Sequence, residues 1–290
     1  MKLASYNIQY GFGRDGAFDL ERIAQAVSGA DVIALQEVER FWKRSEMRDE
    51  ARVLAELLED YHWVYGAGVD LDASIREAGG RLENRRRQFG NMLLSRRPIL
   101  SSRNHLLPKY ASLGPMSIQR SALEGVIETG AGLLRFYSVH LTHLSRETRM
   151  PQVQMLLDIH RRAPVEGASI SGGMVSDDWM VDGIPPALPA EAILMGDFNF
   201  EPDSEEYDRI TGPVSPYGGR ITNPEGFVDA WAAAGHPEGE GVTSEIKGRA
   251  ARLDYCFVSA RLRGRITAAR IDSEAPGSDH QPIWVDIDLD

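Results

Sequence analysis

Six short strings along the chain carry side chains able to hold a metal or move a proton: Ser5-Tyr6-Asn7, Gln36-Glu37-Val38, Val139-His140-Leu141, Gly196-Asp197-Phe198-Asn199, Arg252-Leu253-Asp254-Tyr255 and Ser278-Asp279-His280. Each closes a run of small or apolar residues, which is how a sheet delivers reactive groups to one rim. Read singly, each has a plain alternative. Asp197 and Asn199 would project to one side of an extended chain, or form an Asx turn after a strand. Glu37 sits at a strand tip or in a solvated loop, and His140 is either a catalytic histidine or a satisfied one in the core or at the rim. Gly196 permits a sharp turn or a close approach, and His143 reads as structural or peripheral. Together they say more. Carboxylates of Glu37, Asp197, Asp254 and Asp279 placed ~5 Å apart in one pocket would repel by roughly 3 kcal/mol per pair at an effective dielectric of about 20. Such a cluster needs a cation or a proton. Oxygen donors without cysteine select a hard ion, Mg²⁺ or Mn²⁺, over zinc. With the Asn7 and Asn199 amides and the His140 and His280 imidazoles, that set binds a phosphate oxygen and activates a water, the chemistry of metal-assisted phosphoester hydrolysis.

Those groups must be held by strands, and apolar runs suited to strands recur at 2–6, 31–36, 62–65, 91–94, 122–128, 133–140, 192–195, 253–258 and 283–289. In the last, Ile283, Val285, Ile287 and Leu289 share one face and Asp286 and Asp288 the other, the pattern of a strand covered on one side. Four helices fit between. Asp19 caps Leu20, Ile23, Ala24 and Val27. Ala51, Leu54, Ala55 and Leu58 form a second stripe. Val153, Leu156, Leu157 and His160 form a third, with Pro151 in its first turn. Asp203 with Glu206 resembles a capping box that opens a fourth. Helices packed outside two sheets suit this order. The runs 31–37 and 191–197 echo one another, each an apolar strand ending near a carboxylate. Residues 66–90 and 164–189 read as long loops inserted on a single domain spanning 1–290.

The bulk numbers narrow the class. A 290-residue chain with 42% hydrophobic and 26% charged residues is that of an ordinary globular protein. No run is long enough to span a bilayer, and the first residues read as a strand rather than a signal peptide. The single cysteine, Cys256, excludes an internal disulfide and suits buried packing in a reducing compartment. The cytoplasm is the expected location. A net charge of −11 disfavours nucleic acid unless basic groups gather locally.

Taken in order, the six strings resemble the endonuclease/exonuclease/phosphatase superfamily, which includes deoxyribonuclease I-like nucleases, neutral sphingomyelinases and inositol-polyphosphate 5-phosphatases. The likeness runs from residue 5 to 280. It implies a four-layer α-β-β-α sandwich of two mixed or antiparallel sheets and a Mg²⁺- or Mn²⁺-dependent hydrolase. By position it implies that Glu37 ligates the metal with Asn7 and Asp279 nearby. Asp197 would accept a proton from the attacking water, and Asn199 would position that water or the phosphate. His280, oriented by Asp254, would stabilise phosphoryl charge, and His140 would do likewise or serve the leaving group. Some family nucleases carry an acid two residues after the first asparagine. Gln9 stands there instead, so one resting ion is expected.

The substrate is less legible. Arg76, Arg81, Arg85, Arg86, Arg87, Arg96 and Arg97 crowd one stretch, where they either grip an anionic group or lie solvated beside Glu77 and Glu83. Arg120 either faces the site or forms a surface ion pair. Trp179 either covers the pocket or packs in its loop. No run interleaves aromatic with basic residues in the way that stacks single strands. A small or lipid-derived phosphodiester is therefore the expected substrate, ahead of DNA or RNA, and ahead of a non-catalytic binding protein on the same fold. Oligomeric state is unreadable.

Overall fold

The computed structural model describes residues 1–171 and 186–290. In chain order the elements are β1 (Lys2–Asn7), α1 (Leu20–Val27), β2 (Val32–Arg40), α2 (Glu50–Leu57), β3 (His62–Asp72), β4 (Ile75–Arg76), β5 (Leu82–Glu83), β6 (Arg86–Ser95), β7 (Ile99–Leu106), β8 (Ser121–Thr129), β9 (Gly132–His140), α3 (Arg146–Glu166), β10 (Ala192–Asp197), α4 (Glu205–Thr211), β11 (Phe227–Asp229), α5 (Ala230–Ala233), β12 (Ser244–Ile246), β13 (Arg249–Ala251), β14 (Asp254–Ser259), β15 (Ile266–Ile271) and β16 (Ile283–Ile287). One six-stranded sheet runs β15-β16-β1-β2-β6-β3 and the other β11-β14-β10-β9-β8-β7.

Side-chain alternation builds the layers. Leu3, Val32, Ala34, Leu93 and Val285 of the first sheet meet Leu123, Phe136, Ile193, Met195, Cys256 and Val258 of the second in one core. The opposite faces of the same strands carry Ala4, Tyr6, Ile33, Leu35 and Leu94, which pack under Ile23 and Val27 of α1 and Leu54 of α2. On the far side, Tyr137, Val139, Leu194, Tyr255 and Phe257 pack against Val153 and Leu156 of α3 and Tyr207 and Ile210 of α4. Four layers result, each buried Leu, Ile, Val or Phe contributing roughly 1.5–3 kcal/mol. The strand 283–289 is open on its Asp286 and Asp288 face as expected, and only Trp284 of that face joins the core under α1.

The echo between 31–37 and 191–197 has a topological counterpart. β1 pairs parallel with β2, and β9 parallel with β10. In each pair the first strand leads through a helix to the second. β2 then has β6 beside it and β3 outermost, as β10 has β14 and β11.

Several sequence expectations need correction. Residues 66–90 are not a loop. β3 continues to Asp72 and pairs with β6 from Arg86, a ribbon whose tip carries the small β4–β5 hairpin. The second proposed loop begins inside α3, which runs through Pro164 to Glu166. The remainder falls largely on residues outside those described. α3 starts at Arg146 with Ser145 as its cap, so Pro151 lies in the second turn. Ser204, not Asp203, caps α4 by accepting from the Tyr207 amide at 3.3 Å. Among the described residues no helix is long and apolar enough to cross a membrane.

Candidate active site

Strand pairing brings the six strings together. The parallel register sets Asn7 beside Gln36 and Asp197 beside His140. The antiparallel register sets Asp197 opposite Asp254, and Ser5 opposite Ile283 returns residues 278–282 past the end of β1. Ser278 fixes that return by donating its hydroxyl to the Asn7 carbonyl at 2.7 Å while its oxygen accepts from the His280 amide at 3.1 Å.

Glu37 does not end a strand. It sits on a bulge of β2, where the pairing with β6 slips between Leu35 and Val38, and its φ is +60°. A non-glycine residue in the left-handed region is held there only by its surroundings, and the bulge turns the carboxylate to the rim. Asn199 likewise lies past β10 at φ +55°, with its amide bonded to Asp197 Oδ1 at 2.9 Å. The Asx turn and the shared rim are therefore one feature. Gly196 serves neither turn nor ligand: a Cβ there would lie 1.8 Å from the Val139 carbonyl oxygen of the adjacent strand.

Asp197 is the hub. Its Oδ2 accepts from Asn7 Nδ2 at 3.0 Å, lies 3.3 Å from His140 Nε2 and 3.9 Å from His280 Nε2. Burial works against its charge, but the His140 hydrogen bond and the two imidazoles prevail and hold its carboxyl below the usual range. His280 Nδ1 meets Asp254 Oδ2 at 2.8 Å. Burial opposes the imidazolium, yet the Asp254 and Asp197 carboxylates push it up to about 10. Asp254 is itself buried, which pushes it up to about 6, and the Thr243 hydroxyl holds its backbone amide at 3.1 Å. His140 is the opposite case: burial and the neighbouring Arg120 bring it down to about 4. One ring is therefore charged and the other neutral at pH 7.

Arg120 neither faces the cleft nor pairs with a surface acid. It is buried behind His140, donating to His140 Nδ1 at 2.9 Å and to His143 Nδ1 at 3.3 Å. His143, expected to be peripheral, lines a cleft beside the rim. Most of the crowded arginines are engaged by acids: Arg85 with Glu83, Arg86 with Asp70, Arg96 with Asp60 and Arg97 with Asp290. Arg87 has no acidic partner among the described residues, and its Nε donates to the Phe41 carbonyl at 3.3 Å. Trp179 lies outside the described residues. Sequence reading missed Ser278, Thr243, Tyr10 and Arg44. The first two are hydroxyls whose roles depend on partners remote in sequence, and only assembly of the rim reveals them.

Two clefts flank Asp279, of about 630 and 600 Å³. Tyr10, Phe12, Arg14 and Arg44 line the first; His143, Asn199 and His280 line the second; Ser244, Glu245 and Asp279 border both.

Among the described residues, no three His, Cys, Asp or Glu side chains form a ready-made metal nest. An open site for a hard cation nonetheless fits the donors. Glu37 is desolvated, which raises its carboxyl, and accepts no hydrogen bond among the described residues. The Asp279 charge acts on it, and the Asn7 amide oxygen lies on the adjacent strand. Mg²⁺ is commonly held by one or two carboxylates, with water and substrate phosphate completing its shell.

A rim that offers one charged and one neutral imidazole around buried carboxylates and amides defines a class, the hydrolases of phosphoric esters. A family model described as Endonuclease/Exonuclease/phosphatase family matches residues 4–280, and the chain belongs to that family, whose members generally depend on a divalent metal. Solved structures agree in fold. A family protein from Bacteroides vulgatus is 19% identical with a TM-score of 0.66, over 100% of this chain and 98% of that one. A mannosyl-6-phosphatase from Bacteroides thetaiotaomicron is 17% identical with a TM-score of 0.59, covering 99% of both chains. A 3′ phosphatase from Neisseria, bound to a product DNA hairpin, is 15% identical with a TM-score of 0.59, also covering 99% of both. A comparison with curated proteins by sequence returned no match.

Proposed function

We propose that this chain, read as one domain over 1–290, is a Mg²⁺- or Mn²⁺-dependent phosphodiesterase acting by in-line attack of water, in the cytoplasm. The observation that carries the diester reading is the pair of clefts meeting at Asp279. A diester needs room for an ester group on each side of phosphorus, whereas a monoester needs only one. Glu37, with Asn7 and Asp279 beside it, would hold one divalent ion, which when bound neutralises charge on the phosphoryl oxygens.

The remaining work falls to the chain. Asn199, locked by its turn, positions the water or a phosphoryl oxygen. Asp197 receives the proton of that water. Its depressed pKa makes it a weak base in the resting site, so its first task is orientation, and it becomes more basic as His140 turns from it toward phosphate. His280, held as imidazolium by Asp254, meets the growing negative charge with a positioned donor. Neutral His140 presents Nε2–H to the phosphoryl oxygen or the departing alkoxide.

Bis-p-nitrophenyl phosphate with Mg²⁺ or Mn²⁺ tests the reading. Hydrolysis is expected to exceed that of p-nitrophenyl phosphate, to vanish with EDTA and with Asp197→Ala, and to need more metal in Glu37→Gln. His280→Ala should cost roughly 3 kcal/mol of transition-state stabilisation, as loss of an oxyanion donor does. An inert wild-type protein, or a fully active Asp197→Ala, would overturn it.

A further inference from the structure

From the wall of the first cleft, where Tyr10, Phe12, Arg14 and Arg44 lie, a row of rings and guanidinium groups continues past the cleft's edge to Trp42 and Arg87. Arg87 Cζ lies 5.8 Å from the Trp42 ring, and Arg44 Cζ lies 5.5 Å from Trp42 and 3.8 Å from Tyr10. Tyr10 meets Phe12 edge-on at 5.8 Å between centroids. Arg14 joins the same wall and, like Arg87, has no acidic partner among the described residues, its Nη2 donating to the Asp279 carbonyl at 3.4 Å and to the Gln281 amide oxygen at 3.0 Å. Arg44 is anchored by buried Glu39, so its role is to hold the rings apart. The segments that carry the rings are held in unusual backbone: Gln9, Tyr10 and Phe41 have φ of +43°, +44° and +59°. Non-glycine residues persist in that region where packing fixes them, commonly at ligand clamps.

We propose that this wall is a track for single-stranded nucleic acid leading to the reacting centre, so that the diester cleaved is an internucleotide one. The proposal rests on the phosphodiesterase reading. A lone ring beside one cation would suit a mononucleotide or a sugar phosphate. A run of rings interleaved with guanidinium groups suits a ligand that repeats both planar bases and phosphates. A duplex hides its bases in the stack and offers nothing to the rings. The track also answers the net charge of −11: affinity comes from stacking, with few phosphate contacts, and the other border of the cleft carries Glu245 and Asp279. The sequence hid this pattern because its parts come from residues 10–14, 42–44 and 87, joined by the β2–β6 register that sets Arg40 beside Gln88.

Fluorescence anisotropy of a labelled single strand of about ten thymidylates, with wild-type protein in EDTA, tests the track apart from turnover. The strand should bind at least about tenfold more tightly than the same strand in a duplex. Its affinity should fall with salt at a log–log slope of only about −1.4, as expected for two phosphates. Trp42→Ala should weaken it about tenfold and Trp42→Phe should restore it, while Arg87→Gln should flatten the slope by about 0.7. A single strand bound no better than thymidine monophosphate would overturn the proposal, as would a Trp42→Ala protein that melts like wild type and binds unchanged. Bis-p-nitrophenyl phosphate separates the two readings. Hydrolysis of it without oligonucleotide binding sinks only the track, and binding with no hydrolysis of any diester sinks the enzyme.

Discussion

Arg120 has only donors to offer, and two of them end on histidine Nδ1 atoms. A guanidinium facing Nδ1 requires a lone pair there, so the His140 proton resides on Nε2, aimed at Asp197. The buried cation thus fixes a tautomer as well as lowering the ring's basicity. Arg120→Met removes that constraint: His140 should populate both tautomers and kcat should fall about 10–100-fold, the usual cost of removing an outer orienting partner, with KM little changed. Arg120→Lys should recover part of the loss, since an ammonium still donates to Nδ1. Nitrogen NMR of the His140 ring decides the matter, because unaltered Nδ1 and Nε2 shifts in Arg120→Met would mean that something else sets the tautomer. Sequence singled out His140 as a candidate, but an isolated arginine ahead of an apolar strand gives no sign of which ring it will meet.

Among the elements, the strands seen in sequence are, apart from the start of β3, the interior ones paired on both flanks. All of the apolar runs became strands, whereas within the two six-stranded sheets β7, β11 and β15 were missed, each the outermost strand at one end of its sheet, as were the short β4–β5 and β12–β13 hairpins. β7 alternates half-buried with exposed positions, so no apolar run marks it. β3, the remaining edge, was recognised only in its first third. Edge strands keep one flank in water and carry polar residues accordingly. The bulge at Glu37 was equally invisible, because the slip in pairing belongs to the β2–β6 register and not to β2 alone. Gly196 provides a test of how tightly the parallel β9–β10 pair is locked. An added methyl at 1.8 Å from the Val139 carbonyl oxygen cannot be absorbed by rotating a side chain, since the obstacle is backbone. Gly196→Ala should therefore destabilise the fold by more than about 3 kcal/mol in urea unfolding. A smaller loss would show that the two strands can part.

For the whole molecule, three histidines dispersed in sequence set how stability varies with acidity, and composition alone could not have assigned them. His140 is down at about 4 through burial and Arg120, and His160, on the buried face of α3, is down at about 4 through burial and its contact with Arg135 Nη2 at 2.9 Å. His280 is up at about 10. An unfolded chain titrates all three near 6.5. As pH falls from about 6.5 to 4, the unfolded state takes two protons that folded His140 and His160 refuse, so stability drops. Asp254, up at about 6 against an ordinary 3.8, together with Glu37 and Glu50, which burial also raises, keeps protons in the folded state over part of that range and offsets much of that loss. As pH rises from about 6.5 to 10, folded His280 retains a proton that the unfolded chain releases, so stability drops again, by up to about 1.4 kcal/mol per pH unit. Melting temperature in EDTA should fall steadily above about pH 6.5 and change less on the acid side. His160→Gln removes one of the protons taken up on the acid side, so its melting temperature relative to wild type should rise as pH falls from about 6.5 to 4 while the alkaline limb stays. A wild-type protein that melts at one temperature from pH 5 to 9 would show that these rings do not carry the protonation states from which the charged and neutral pair at the rim is built.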